Sequence, residues 1–309
     1  MQAPATGFLA VFSEPPGASI EIDGDLREGR VTPDTLELTT GAHAVRVFLD
    51  NHEALPAESE VNIEKGRGAT AEFCLFLTGA TGASRTVLIE HFGNVRCEPC
   101  GPAEILMRDF QESLGADHVL TFGYRTNWPA SQDPVYVENP ALHGERIAFY
   151  SISVAPTIVF DGISTMSIPT EATLQNMYQQ ALATPPHFWI EVSDTLDGFR
   201  YSVGARVAPL DCPMLNDLVI QFGVVETEVV VVLGPAEETS YNVVRDLMPN
   251  ASGQAFSPVY GETLSFWRSR TLDAGWDESE IETVVFIQSR STKHVLQSGS
   301  TFGTTPARR

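Results

Sequence analysis

The sequence predicts a multidomain chain: a small all-β module, then an α/β module, then an all-β sandwich. Three observations predict it. Strand-type runs fill the first and last parts of the chain, whereas strand and helix patterns alternate between them. Two breaks in composition separate these parts, a small and flexible stretch at 78–84 and the stiff Ala-Thr-Pro-Pro at 183–186. They divide the 309 residues into 1–82, 83–185 and 186–309, each of ordinary domain size.

In the first segment, residues 8–12 are apolar, and Pro15, Pro16 and Gly17 then force a turn. Ala18, Ile20 and Ile22 alternate with Ser19, Glu21 and Asp23 at the period of a half-buried strand. Asp23-Gly24 is a tight-turn pair. A short strand follows around Leu36 and Leu38, Gly41 turns the chain, and Val45, Val47 and Leu49 alternate with Arg46 and Phe48. Asp23 and Asp25 read as turn residues, because no ordered series of further oxygen donors follows that would complete a calcium loop. The string Ser13-Glu14-Pro15-Pro16-Gly17-Ala18, with Ile22-Asp23-Gly24, Thr32-Pro33 and 41–47, resembles the PEGA domain, a small β-module of bacterial envelope proteins. It departs from that pattern at Pro16 and in a longer stretch before Thr32-Pro33. The resemblance implies an attachment or scaffolding module without chemistry of its own.

The second segment opens with a β-type run at 86–90. Residues 102–114 carry Ile105, Leu106, Phe110 and Leu114 near helical spacing, and 119–124 form a second strand. After a polar, proline-containing stretch, 143–150 reads as helix, 157–160 as a strand closed by Asp161-Gly162, and 169–182 as a closing helix. This order predicts a sheet with helices on both faces. In the third segment, runs at 189–192, 201–204, 218–222, 229–233, 263–266 and 284–288 are separated by turn residues, the spacing of a sandwich.

Chemistry concentrates at Cys97-Glu98-Pro99-Cys100, which lies at a strand-to-helix junction. There the unpaired N–H groups and dipole of the helix start stabilise a thiolate. Cys100, three positions on, falls on the same face and close enough to close a small disulfide ring. Cys97 would attack a substrate disulfide and Cys100 would resolve the mixed disulfide. Arg96 favours the Cys97 thiolate and Glu98 opposes it, which points to a potential nearer the reducing end of the exchange range. Pro102 predicts a helix that begins irregularly, with its regular part starting near that residue.

Residues 87–92 leading into Cys97-Glu98-Pro99-Cys100, together with Val154-Ala155-Pro156-Thr157 before Phe160-Asp161-Gly162, resemble the thioredoxin superfamily over 85–184. The resemblance implies an α/β thioredoxin fold in which Pro156 faces the disulfide and Ala155 offers backbone hydrogen bonds to an extended substrate. It also makes Glu90 the counterpart of a buried acid that handles the resolving thiol's proton, although Glu90 stands one residue too far from Cys97. Arg96 replaces the usual aromatic residue before the first cysteine. Trp128, in the insert 127–134, is a loop anchor or a substrate contact. No cofactor is called for, and four zinc ligands are not in evidence. Copper held by the two cysteines and His91 or His143 is an alternative. Cys74 and Cys212 are buried thiols or an interdomain pair.

Residues 241–249 and 284–288, followed by 292–297, resemble the Ig-like β-sandwich that follows the thioredoxin fold in a family of bacterial outer-membrane lipoproteins. That family implies an envelope location and a lipid anchor near the mature N-terminus. Partners follow from the whole reading: thiols or disulfides of exported client proteins and a redox partner of unknown identity. Nucleic acid is excluded by the net charge of −21, from 40 acidic and 19 basic residues. The acids and bases number 13 and 5 in 1–82, 11 and 5 in 83–185 and 16 and 9 in 186–309, so the acidity is a solvated-surface property. No apolar run approaches the roughly 20 residues of a membrane span, and the N-terminus lacks the pattern of a signal peptide. The competing function is a non-catalytic envelope scaffold with the Cys97–Cys100 bond as a staple.

Overall fold

Burial alternates residue by residue along β1 (Thr6–Glu14): Leu9 and Val11 enter a core while Phe8 and Phe12 stay exposed. The computed structural model describes residues 4–77, 83–210, 217–259, 261–303 and 307–308. The chain is mostly β and forms two units. One is Met1–Ala83 with Ala208–Met214 and Pro258–Leu264; the other is Ser84–Val207 with Leu215–Ser257 and Ser265–Arg309. Among the described residues no helix is long and apolar enough to cross a membrane.

The first unit continues with β2 (Ser19–Ile22), β3 (Asp25–Val31), β4 (Asp34–Thr39), β5 (Gly41–Phe48), β6 (His52–Leu55), β7 (Ser59–Ile63) and β8 (Gly68–Leu77). They form two four-stranded sheets, β4-β1-β8-β6 and β3-β2-β5-β7. Leu9 and Phe73 from one sheet and Ile20, Ile22, Val45 and Val47 from the other share a single apolar core. Asp23 sits at φ 57° in the turn between β2 and β3. Its carboxylate pairs with His43 Nδ1 at 2.7 Å and accepts from Ala44 N at 2.9 Å, so this aspartate fastens a turn to β5. Strands β3 and β6 to β8 went unrecognised in the sequence. Charged residues interrupt β3, which is exposed along nearly its whole length and has no buried face to betray it. Cys74 in β8 is disulfide-bonded, and Cys212 lies outside the described residues.

The second unit contains β9 (Val87–Gly93), α1 (Cys100–Leu114), β10 (Val119–Arg125), α2 (Pro134–Glu138), α3 (Pro140–Tyr150), β11 (Thr157–Phe160), β12 (Ser164–Met166) and α4 (Glu171–Leu182). After these come β13 (Phe188–Asp197), β14 (Arg200–Pro209), β15 (Leu218–Leu233), β16 (Ala236–Met248), β17 (Gln254–Phe256), β18 (Leu264–Thr271), β19 (Ile281–Ser289), β20 (Val295–Ser300) and β21 (Ala307–Arg308). A nine-stranded sheet runs β12-β11-β9-β10-β16-β15-β19-β20, with β17 on β15, and a four-stranded sheet runs β18-β14-β13-β21. Strands β9 and β10 are parallel, and β11 lies antiparallel to β9.

Helices cover both faces of the β9–β11 portion, as the element order predicts. Val87, Ile89 and Ile158 pack with Met107 and Phe110 of α1 and Leu174 and Tyr178 of α4. On the opposite face Leu88, Phe92, Leu120 and Tyr124 pack with Leu142 of α3, joined by Val244, Leu247, Phe286 and Val295. Segments 83–185 and 186–309 therefore share a sheet, a core and one compact unit. The two runs expected at 218–222 and 229–233 are one strand of 16 residues, β15. The polar stretch between them does not break it because its side chains are satisfied: Glu226 pairs with Arg245 at 2.7 Å and accepts from Asp277 N at 2.9 Å, and Thr227 donates to Glu280.

Candidate functional site

Asn94, directly after β9, sets the path of the chain into the cysteine motif. Its Nδ2 donates to Thr126 O at 2.6 Å and to Ala130 O at 2.9 Å, and its Oδ1 accepts from Arg96 N at 2.9 Å. Asp133 adds a second tether. One of its oxygens accepts from Val95 N at 2.9 Å, while the other caps α2 through Val135 N and Tyr136 N at 3.0 and 3.2 Å. The turn then closes by Cys97 N to Asn94 O and Cys100 N to Cys97 O. These amide and carboxylate tethers went unnoticed in the sequence, where both residues look like ordinary loop polarity.

Cys97 and Cys100 form a disulfide with their Cα atoms 5.3 Å apart. Cys100 is the first residue of α1 and Pro99 its N-cap, so the helix begins at the motif itself. Pro102 falls within the first turn, where its missing N–H costs no helical bond, and the irregular start expected there is corrected accordingly. A Cβ added at Gly93 would lie 3.6 Å from Cys100 Cβ and 3.7 Å from its Sγ, which places this cysteine over the end of β9. Arg96 and Glu98 are exposed on either side of Cys97. Cys97 lines an open groove of about 450 Å³, whose walls are Arg96, Glu98, Pro102 and Ile105 on one side and Glu238 and Thr239 of β16 on the other.

Beneath the disulfide lies a buried charged cluster on the same face of the sheet. Arg125 of β10 donates to both oxygens of Glu104 on α1, at 2.7 and 3.2 Å. Glu104 also accepts from Tyr241 N at 2.9 Å, and His91 Nε2 lies 3.7 Å from its Oε1. Burial works against the Glu104 carboxylate, but Arg125 and then His91 outweigh it and hold its pKa below the ordinary range. For His91 burial dominates and pushes the imidazole down to about 4 against the pull of Glu104. Its Nε2 has no hydrogen-bond partner.

Glu90 does not belong to this group. In β9 it alternates with His91, so its side chain enters the opposite face, where Arg146 grips both oxygens at 2.7 and 2.9 Å and Tyr150 donates at 2.5 Å. Position 91, not 90, carries the side chain that faces α1 and the cysteines. His143 lies on that opposite face too, accepting from Arg125 N at 3.3 Å and stacking on Tyr136, so it is not brought together with Cys97 and Cys100. Among the described residues no three His, Cys, Asp or Glu side chains cluster closely enough to hold a metal ion.

Pro156 is buried and follows a cis bond from Ala155, while Ala155 is half-buried and Val154 exposed. The β9–β11 register pairs Thr157 with Phe92, which sets Pro156 one residue further along, at the sheet end where Cys100 packs on Gly93. Trp128 is half-buried in the loop after β10, its carbonyl accepting from Thr126 Oγ1 at 2.6 Å.

Residues 6–73 match the PEGA domain family. No curated protein matches the chain. Among solved structures, HBP35 of Porphyromonas gingivalis is similar at a TM-score of 0.61 and 12% identity, over 72% of this chain and 77% of that one. At this identity the likeness is one of fold. A protein of Agrobacterium tumefaciens is similar at a TM-score of 0.49 and 14% identity, over 70% of this chain and 94% of that one. A domain of the outer membrane lipoprotein Omp28 from Porphyromonas gingivalis is similar at 0.29 and 13% identity, over 41% of this chain and 93% of that one.

Proposed function

We propose that this chain is a thiol-disulfide exchange protein of the bacterial cell envelope, with residues 83–185 as a thioredoxin-like domain. One observation carries the reading: the Cys97–Cys100 disulfide sits at the start of α1 and lines an open groove, with Pro156 placed by register at the same end of the sheet. The strand and helix order supports it, with β9 and β10 parallel, β11 and β12 antiparallel, α1 and α4 on one face and α3 on the other. In the reduced protein the helix N-terminus favours the thiolate of Cys97, which lines the groove, while Cys100 is held inward on Gly93. The Cys97 thiolate attacks a client disulfide and forms a mixed disulfide. Cys100 then displaces the client thiol and closes the ring again. The envelope location is supported by the PEGA match at 6–73 and by the use of disulfides, which persist in oxidising compartments. A lipid anchor joins this proposal through the resemblance to the outer-membrane lipoproteins.

The test is reduction of a model protein disulfide with dithiothreitol as electron donor. The full chain accelerates it and Cys97→Ser abolishes the acceleration. A rate no different from dithiothreitol alone refutes the reading. The low exposure of Cys97 and Cys100, 7% and 4%, favours the second reading, in which the bond is a permanent staple of a scaffold.

A further inference from the structure

The C-terminal strands contribute one wall of the cysteine groove, and that wall is an unpaired strand edge. Strands β15 and β16 form a long hairpin from Phe222↔Met248 to Leu233↔Ala236. Val229, Val231 and Leu233 seat it on Val95 and Val135, next to the motif. Strand β10 pairs with β16 only at Gly123↔Val243. From there back to its start, the edge of β16 away from β15 has no strand partner among the described residues. Tyr241 N donates to Glu104, so it points away from β15. By the two-residue period of a strand, Thr239 and Glu237 present their N–H and C=O groups on that same outward edge. Thr239 lines the groove with Cys97.

An unpaired edge is a template for an extended chain. Its charge selects which chain. Of the charged side chains lining the groove, Glu98 and Glu238 are acidic and Arg96 basic, and exposed Glu237 adjoins them on β16; Arg108, which lies over the Tyr241 ring, is already paired with Asp109 and Glu112. We propose that clients add as an extended strand to the edge of β16 at Glu237–Thr239, with their cysteine over Cys97, and that the segments taken carry lysine or arginine beside that cysteine. This rests on the exchange reading above and names its substrate class. In the step itself, the Cys97 thiolate attacks one sulfur of the client disulfide, a Cys97–client bond forms, and the other client sulfur leaves as a thiolate that takes up a proton.

The experiment uses the reduced full chain carrying Cys100→Ser, so that the mixed disulfide accumulates. Three probes are offered at low ionic strength: short peptide homodimers joined through a central cystine and flanked by lysine, the same peptides flanked by glutamate, and the neutral bis(2-hydroxyethyl) disulfide. Adduct formation is followed by mass spectrometry. The lysine peptide reacts about tenfold faster than the glutamate peptide, and the preference shrinks with salt. Glu237→Gln with Glu238→Gln, both exposed, cuts the lysine-over-glutamate preference about threefold, a ratio that cancels any change the lost charges make to the Cys97 thiolate. Thr239→Pro removes an outward N–H that β15 does not use, and lowers the rates of both peptides relative to that of the small disulfide. If the small disulfide reacts but both peptides react alike and the variants change nothing, the inference is overturned and the exchange reading stands. If the small disulfide does not react either, the exchange reading falls and takes the inference with it.

Discussion

Replacing Glu104 by alanine removes the only carboxylate, among the described residues, within ion-pair distance of Arg125, a side chain 1% exposed whose Nε has no hydrogen-bond partner. The bidentate contact at 2.7 and 3.2 Å puts the charge centres about 4 Å apart, worth about 4 kcal/mol at an effective dielectric of about 20. Breaking a buried pair from one side costs about 3–5 kcal/mol, because the remaining charge is left uncompensated. The lost acceptor for Tyr241 N adds about 1 kcal/mol. Glu104→Ala therefore destabilises the second unit by about 4–6 kcal/mol. The assay is urea unfolding at pH 7 followed by tryptophan fluorescence, and Trp128, Trp189, Trp267 and Trp276 all lie in that unit. The paired change Glu104→Leu with Arg125→Met recovers most of the loss. A loss under about 1 kcal/mol for Glu104→Ala would refute the reasoning, since it would mean that water reaches Arg125.

Three more outcomes follow from the same region. The His91 imidazole titrates near 4 when folded and near 6.5 when unfolded, so the unfolded chain takes up the proton first and stability falls as pH drops from about 6.5 to about 4, by about 3 kcal/mol in all. His91→Asn flattens that slope in unfolding curves collected across the range, and an unchanged slope contradicts the assignment. A Cβ at Gly123 would meet His91 Nε2 at 2.8 Å and the carbonyls of Tyr241 and Asn242 at 3.1 and 3.2 Å, so Gly123→Ala costs about 1–3 kcal/mol by the same fluorescence assay. Asp133→Ala releases both the α2 cap and Val95 N, costs about 2 kcal/mol, and raises amide exchange at Val95; protection unchanged at Val95 would show that the carboxylate does not hold the loop.

What the sequence made legible depended on local pattern. The 157–160 strand is legible at its true bounds because Thr157 and three apolar residues are closed by Asp161-Gly162. The pattern at 102–114 gives the body of α1 but not its start, because Pro102 breaks the apolar pattern while sitting in the first turn, where a proline is accommodated. The closing helix starts two residues later than its pattern suggests: Thr170 caps it through Thr173 N, so it begins at Glu171 and Pro169 stands outside. At the site, Cys97 and Cys100 are legible from their spacing together with the strand-to-helix junction on which they fall. Glu90 was not correctly placed, because neighbouring strand residues face opposite ways and a shift of one position moves the side chain through the sheet. Long-range partners carry no local signature. Nothing near Glu104 in the sequence announces Arg125, and nothing near Cys97 announces Thr239, which lies on a strand more than a hundred residues away.

The central claim is that the Cys97–Cys100 bond exchanges. Its reduction potential, measured on the full chain by equilibration against glutathione and dithiothreitol, tests that most directly. Exchange predicts a value above about −300 mV, nearer thioredoxin at about −270 mV than the strongly oxidising pairs near −120 mV. A value below about −300 mV would make the bond a structural staple and contradict the account.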